Sequence, residues 1–340
     1  MSQSGIPPTG ARRHEPDVET IVGGILGGDR HLLSRAITLI ESQKPEHLEK
    51  SHQILDRCMQ HKRSSIRIGV TGSPGAGKST FIEALGEVII REGLSIAVLA
   101  IDPSSRQSRG SILGDKARME KLSGRKEAYI RPSASSGHLG GLSPKTHETI
   151  VLCEAAGYDV ILVETVGVGQ SEVEVETMVD FILLLMLPGS GDELQGIKRG
   201  IMEIADAIAI TKTDGAQEGI ASLSKTEFEA ALRMLPAKYP FWHREVFLTS
   251  SLKGSGIEEV WYNISRFFDL VRGNGLLLEK RREQLRHLLY GLVEQMLKKE
   301  FFRNPDVAIM KEGIEKQVVS SQLSPFTGAS ILMEAFTRRR

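Results

Sequence analysis

Gly72-Ser73-Pro74-Gly75-Ala76-Gly77-Lys78-Ser79 satisfies the pattern G-x-x-x-x-G-K-[ST] at every fixed position. Ile66, Ile68 and Val70 ahead of it make a short apolar strand, and Thr80 to Leu85 behind it opens a helix. Glycines let such a loop curl until several N–H groups face inward, and the following helix directs its positive end at the same anion. In this arrangement Lys78 reaches the β- and γ-phosphates of a nucleotide and the Ser79 hydroxyl ligates Mg²⁺. The phosphate cradle therefore runs from Gly72 to Thr80. A Gly-rich turn that binds nothing is the competing reading, and both flanks argue against it.

Outward from the loop, apolar runs alternate with helical segments. The runs Ile66–Val70, Ile96–Ile101, Tyr129–Arg131, Val160–Val163, Phe181–Leu187, Ala207–Ile210 and Val246–Thr249 read as strands, several of them buried on both faces. The pattern predicts an α/β fold with a mostly parallel P-loop sheet flanked by helices. Residues 1–62 precede it as a tail and a helical preface, with Ile21, Ile25, Leu32, Leu33, Ile37, Ile40, Leu48, Ile54, Leu55 and Met59 at helical spacing and Pro45 between them. Residues 63–272 make the nucleotide-binding domain. Residues 273–340 make a C-terminal helical extension after the breaker Gly273-Asn274-Gly275. There Leu278, Leu285, Leu288, Leu289, Leu292, Met296 and Phe301 form a stripe on one long helix, suited equally to packing on its own domain and to a dimer surface.

Composition narrows the partners. The 340 residues carry 43 Lys+Arg and 43 Asp+Glu, so the formal net charge is zero. That balance gives no general attraction to nucleic acid or an anionic membrane. The cysteines, Cys58 and Cys153, stand far apart in no metal-ligand spacing, which suits a reducing compartment. No secretory leader is recognised before Glu15, and the apolar run Phe181–Leu187 is too short to span a bilayer. A cytoplasmic protein is expected.

A second constellation reads the base. Ile208-Ala209-Ile210 runs into Thr211-Lys212-Thr213-Asp214, similar to the guanine-reading pattern N-K-x-D. A carboxylate at Asp214 accepts from guanine N1–H and the 2-amino group, a pairing adenine cannot offer. The Lys212 stem suits the face of the base. Thr211 stands where Asn is commoner, which predicts a weaker tie to the phosphate loop. Thr249-Ser250-Ser251-Leu252 resembles the loop that surrounds the guanine oxygen. The nucleotide is therefore read as GTP rather than ATP.

A third constellation concerns metal and mobile segments. Asp102 ends a strand, Asp115 follows the stretch Ser104 to Gly114, and Glu164 ends another strand and opens Glu164-Thr165-Val166-Gly167-Val168-Gly169-Gln170. Carboxylates at strand ends suit Mg²⁺, which takes oxygen ligands and keeps several waters. The Gly167 N–H can touch the γ-phosphate. The stretch Pro188 to Gly200 has glycines near both ends and a charged middle, with Lys198 and Arg199 able to meet charge that develops in phosphoryl transfer. A solvated charged loop is the plainer alternative.

These motifs, in order, resemble one family. They are Gly72–Thr80, Ile101-Asp102-Pro103-Ser104-Ser105, Gly110 to Lys116, Gly137-His138-Leu139-Gly140-Gly141-Leu142, Glu164 to Gln170 and Leu187 to Lys198. The chain resembles the MeaB GTPases, relatives of the methylmalonic aciduria type A protein and of proteins once labelled ArgK transport kinases, over about residues 20 to 335. The resemblance implies a G domain of the SIMIBI class and a homodimer through the C-terminal helices. It implies a chaperone for adenosylcobalamin-dependent methylmalonyl-CoA mutase, or a related B12-dependent acyl-CoA mutase, whose cofactor loading GTP hydrolysis gates. It implies that Lys78 serves the phosphates, that Ser79, Asp102, Asp115 and Glu164 serve the metal, and that Asp214 reads guanine beside Ser250, Ser251 and Leu252. Lys198 would belong to a segment coupling the partner to hydrolysis. His138 has no acid two residues before it, so cobalamin is expected on the partner and not on this chain. The competing readings are a metallochaperone-type SIMIBI GTPase, a P-loop kinase of the ArgK kind, and a scaffold that nucleotide merely stabilises. The first usually carries His-rich tracts or paired cysteines, absent here.

Overall fold

The computed structural model describes residues 16–42, 44–61, 63–102, 119–134, 144–165, 171–190 and 199–338. Seven strands form one sheet: β1 (Ile66–Gly72), β2 (Ile96–Asp102), β3 (Ala128–Ala134), β4 (Val160–Glu164), β5 (Phe181–Met186), β6 (Ala207–Ile210) and β7 (Val246–Leu248). Their order is β3-β2-β4-β1-β5-β6-β7, and every neighbouring pair is parallel. All seven expected strands are present. The run ending at Leu187 stops at Met186, ahead of Pro188, which has no N–H to give a ladder.

Among the described residues the helices are α1 (Val18–Leu26), α2 (Arg30–Glu41), α3 (Pro45–Gln60), α4 (Lys78–Arg91), α5 (Glu120–Ser123), α6 (Pro144–Ala155), α7 (Ser171–Glu176), α8 (Arg199–Ile204), α9 (Glu218–Met234), α10 (Ile257–Gly273), α11 (Leu276–Arg303), α12 (Pro305–Val319) and α13 (Pro325–Thr337). Pro45 sits at the start of α3, where its missing N–H costs nothing. Two compact units are present, one reaching Leu277 and the other starting at Leu278.

In the first unit, one face of the sheet meets α4 and α10, whose Phe267 and Phe268 join Phe81 and Phe181 in the core. The other face carries α6 and α7, and α1 to α3 pack on α6 as a further layer. The helices α8 and α9 cover β5, β6 and β7 on that face. In the second unit, α12 packs on α13, and the ring of Phe301 meets Phe302 and Phe336. Among the described residues no helix is long and apolar enough to cross a membrane.

The amino end of the sheet holds buried charge. Arg67 in β1 gives Nε and Nη2 to the two carboxylate oxygens of Glu154 in α6, at 2.8 and 2.9 Å, with both side chains buried. The Ser65 hydroxyl adds a third bond to Glu154 at 2.7 Å. Asp180 and Asp206, each fully buried, accept from the main-chain N–H of Arg67 and Ile182 at 3.1 and 2.8 Å. Removing one member of such a pair leaves the other charge buried without compensation. Glu154→Ala is expected to lower unfolding stability by about 3–5 kcal/mol, as read from the urea midpoint at constant m-value.

Candidate functional site

The carboxyl ends of a parallel sheet open toward one edge, where such folds bind ligands. There Gly72 has φ +154° and lies so close to β5 that an added Cβ would stand 2.3 Å from the Leu185 carbonyl oxygen. Gly75 and Gly77 have φ of +81° and +79°, in the left-handed region that glycine tolerates. Gly77 is the N-cap of α4 and supplies no side chain, so the first amides of that helix have no capping group. Ser73 Oγ is buried and has no hydrogen-bond partner. Uncapped helix amides and an unmet hydroxyl fit a phosphate. Pro74, Gly75 and Thr80 are exposed at the rim, and Ala76 is buried beneath.

Lys78 folds back over the loop, giving Nζ to the carbonyls of Gly72 and Ser73 at 3.0 and 3.3 Å. Burial lowers its pKa from the ordinary lysine value, and the charge of Glu164 partly opposes that. Ser79 Oγ donates to Glu164 Oε1 at 2.9 Å. β1 and β4 pair with Val70 opposite Glu164, which brings that carboxylate beside the cradle. A hydroxyl and a carboxylate oxygen side by side suit the oxygen preference of Mg²⁺. Among the described residues no group of three or more His, Cys, Asp or Glu gathers as a metal cluster. The main chain of Asp102 closes β2 opposite Ala134, but its carboxylate is not among the described groups. Asp115, Gly167, Lys198 and His138 lie outside the described residues. The hydroxyls of Thr71 and Thr165 are buried without hydrogen-bond partners at the ends of β1 and β4; Thr165 falls in the motif that Glu164 opens, but neither hydroxyl is assigned a role by the sequence.

The base loop is tied directly to the cradle. Thr211 Oγ1 donates to the Ala76 carbonyl at 2.7 Å and lies 3.2 Å from that of Met186, while its N–H meets Met186 at 2.8 Å. Thr211, standing where Asn is commoner, thus makes its tie to the phosphate loop through one hydroxyl proton, and it is 2% exposed. Lys212 takes φ +57°, and its Cε passes 3.8 Å from where a Cβ on Gly77 would stand. Thr213 N–H meets the Thr249 carbonyl at 3.2 Å, which joins this loop to the one after β7. Asp214 is half-buried, and its carboxylate caps nothing in the turn that follows. Ser250 is buried and pairs with Ser255, Ser251 is half-buried, and Leu252 is 84% exposed. Gly256 permits the return, since a Cβ there would stand 2.1 Å from the Leu248 carbonyl oxygen.

The glycine loop after β1, the Glu164 carboxylate beside it and the Thr211 loop bonded to it adjoin one another at the carboxyl end of the sheet. The family described as methylmalonyl Co-A mutase-associated GTPase MeaB matches residues 33–306. The chain belongs to the MeaB GTPase family. GTPase ArgK of Escherichia coli strain K12 is 46% identical over 307 residues, which cover 90% of this chain and 93% of that one. The mitochondrial methylmalonic aciduria type A homolog of Mus musculus is 42% identical over 332 residues, 95% of this chain and 80% of that one. The crystal structure of LAO/AO transport system kinase matches with a TM-score of 0.76 at 39% identity, over 93% of this chain and 96% of that one. As a MeaB GTPase the chain is an enzyme that hydrolyses GTP, and guanine nucleotide with Mg²⁺ is the ordinary ligand set of such enzymes.

Thr211→Val keeps the shape and deletes the hydroxyl that joins the two loops, leaving the Ala76 carbonyl unmet. A stability loss of about 1–3 kcal/mol is expected, largely restored by Thr211→Ser, with chemical denaturation as the measurement.

Proposed function

We propose that this MeaB GTPase binds GTP with its phosphates in the Gly72–Thr80 cradle and its guanine at Asp214, and that hydrolysis to GDP and phosphate serves a partner enzyme. The observation that carries the reading is the bond from Thr211 to Ala76, because it ties the loop after β6 to the glycine loop after β1. On nucleotide binding, Lys78 exchanges the carbonyls of Gly72 and Ser73 for phosphate oxygens, which favour the charged form that burial disfavours. The P-loop amides orient the phosphates, and water attacks the γ-phosphate. Ser79 and Glu164 would hold Mg²⁺ together with Asp102 and Asp115; when bound, the ion offsets charge on the phosphate oxygens. Gly167 would contact the γ-phosphate, and Lys198 would act in the segment that responds to the partner. Ser250, Ser251 and Leu252 would surround the base, with Lys212 along its face.

The proposed partner is methylmalonyl-CoA mutase or a related B12-dependent acyl-CoA mutase, with GTP hydrolysis gating adenosylcobalamin loading and protecting or reactivating the mutase. The family's description, mutase-associated GTPase, supports it. The cobalamin would sit on the mutase. The chain would work in the cytoplasm in three parts, residues 1–62, 63–272 and 273–340. A homodimer through the C-terminal helices is proposed as well. The 28-residue helix α11 buries only Gln284, and Leu289, Met296, Ile309 and Phe326 stand exposed on the three C-terminal helices. An exposed apolar surface of that kind marks an interaction site.

Lys78→Ala is expected to abolish tight GTP binding, and unchanged affinity in calorimetry would remove the cradle assignment. Asp214→Asn should weaken GTP relative to xanthosine triphosphate by at least about tenfold, measured as the ratio of the two dissociation constants. Light scattering should give twice the chain mass for the wild type. Leu289→Glu combined with Met296→Glu should give a folded monomer.

A further inference from the structure

A groove of about 510 Å³ runs between the edge strand β7 and α10. That size falls in the range of about 300–1,000 Å³ usual for ligand pockets. Phe247 lines it from the strand. From the helix come Glu258, Glu259, Tyr262, Asn263 and Arg266, which the helical repeat sets on one face. The two walls flank the loop after β7 that the base reading uses: β7 ends at Leu248 and α10 begins at Ile257. None of the lining residues belongs to the nucleotide reading.

Asn263 stands out among them. It is 3% exposed, and its amide nitrogen and amide oxygen are both buried without a hydrogen-bond partner. Asn is a poor helix former, and here it lies inside the helix, neither capping it nor bonding back to an earlier turn. Unmet buried polar atoms cost stability, so their retention points to a partner that arrives from outside. A side-chain amide offers a donor and an acceptor side by side. In an extended chain the N–H and C=O of one residue point the same way and match that pair. The charge of the groove adds a second requirement. Glu245, Glu258 and Glu259 line it against the single guanidinium of Arg266. Arg266 pairs with Glu245 at 2.5 Å, and Glu258 turns to Arg91 at 2.8 Å. Among the described residues Glu259 makes no ion pair, and it is exposed. The ring of Tyr262, 70% exposed, follows on the same face. A carboxylate and an aromatic ring both favour an ammonium.

We propose that this groove is a docking site for an extended, lysine-bearing segment of a partner protein. The main-chain N–H and C=O of the lysine residue meet the Asn263 amide, and its ammonium meets Glu259 beside the Tyr262 ring. Glu259 and Asn263 are four residues apart on one helix face, about 5–6 Å between Cβ atoms, so a single lysine residue reaches both. The inference does not depend on the nucleotide reading.

Saturation-transfer NMR titrations on the full chain test this with three probes. The first is an acetylated, amidated pentapeptide with a central lysine between glycines. The second is the same peptide with norleucine in place of lysine, which keeps the main chain and loses the charge. The third is putrescine, which has the ammonium and no amide. The lysine peptide should bind, and the other two should bind about tenfold more weakly, since each lacks one half of the recognition. Glu259→Gln should weaken the lysine peptide about threefold and leave the norleucine peptide unchanged. Asn263→Leu should weaken both peptides about tenfold. Glu259 is exposed, so its variant keeps the test decisive if Asn263→Leu fails to fold. Putrescine binding as tightly as the lysine peptide would make this a free-amine site and overturn the proposal. No binding of the lysine peptide, or binding that Glu259→Gln leaves unchanged, would overturn it too. So would a second copy of this chain in the groove, seen as a wild-type dimer that Tyr262→Glu separates into monomers.

Discussion

All seven strands run in the same direction, and the rest of the molecule follows from that constraint. A parallel strand cannot return by a tight hairpin, so each needs a crossover, and the loops leaving the carboxyl ends gather on one edge. Pairing register then decides which residues meet. Val70 opposite Glu164 sets an acid beside the cradle, and Gly72 opposite Leu185 presses the loop onto β5. Met186, at the end of β5, accepts from Thr211, at the end of β6, and the Thr211 hydroxyl reaches Ala76. Residues far apart in the chain thus form one site because the sheet brings the ends of their strands together.

The two ends of the sheet differ in how their polar groups are treated. At the amino end, the Arg67 guanidinium is matched by Glu154, Asp180 accepts from the Arg67 amide, and Asp206 is met by Lys238 and the Ile182 amide. Buried charge of this kind is tolerable only when paired and hydrogen-bonded. At the carboxyl end, buried hydroxyls of Thr71, Ser73 and Thr165 lack partners, and α4 starts without a cap. Unmet groups cost stability, and a protein retains them where a ligand supplies the missing partner.

Much of this was legible in the amino acids. The strands announced themselves as apolar runs, because a strand covered on both faces needs no alternation. The cradle was legible because only glycine takes the backbone angles of Gly75 and Gly77 without strain. What stayed hidden was long-range polar pairing. Arg67 in a strand and Glu154 in a helix carry no spacing that links them, and a charged residue in isolation looks like surface. Lys238, in the turn after α9, gave no sign of reaching Glu176 and Ile204 at the ends of two other helices. Thr211 lacks the amide that usually carries this motif, and its residue type alone does not say what its hydroxyl meets. Its position against the Ala76 carbonyl, and not its residue type, decides what it can do.

The central claim is that one guanine nucleotide is gripped at both ends by loops that Thr211 joins. A crystal structure with GDP and Mg²⁺ tests it most directly. The account predicts phosphate oxygens within hydrogen-bond reach of the amides of residues 75–80, and the guanine 2-amino group on the Asp214 carboxylate. An empty cradle, or a purine bound away from Asp214, would contradict it.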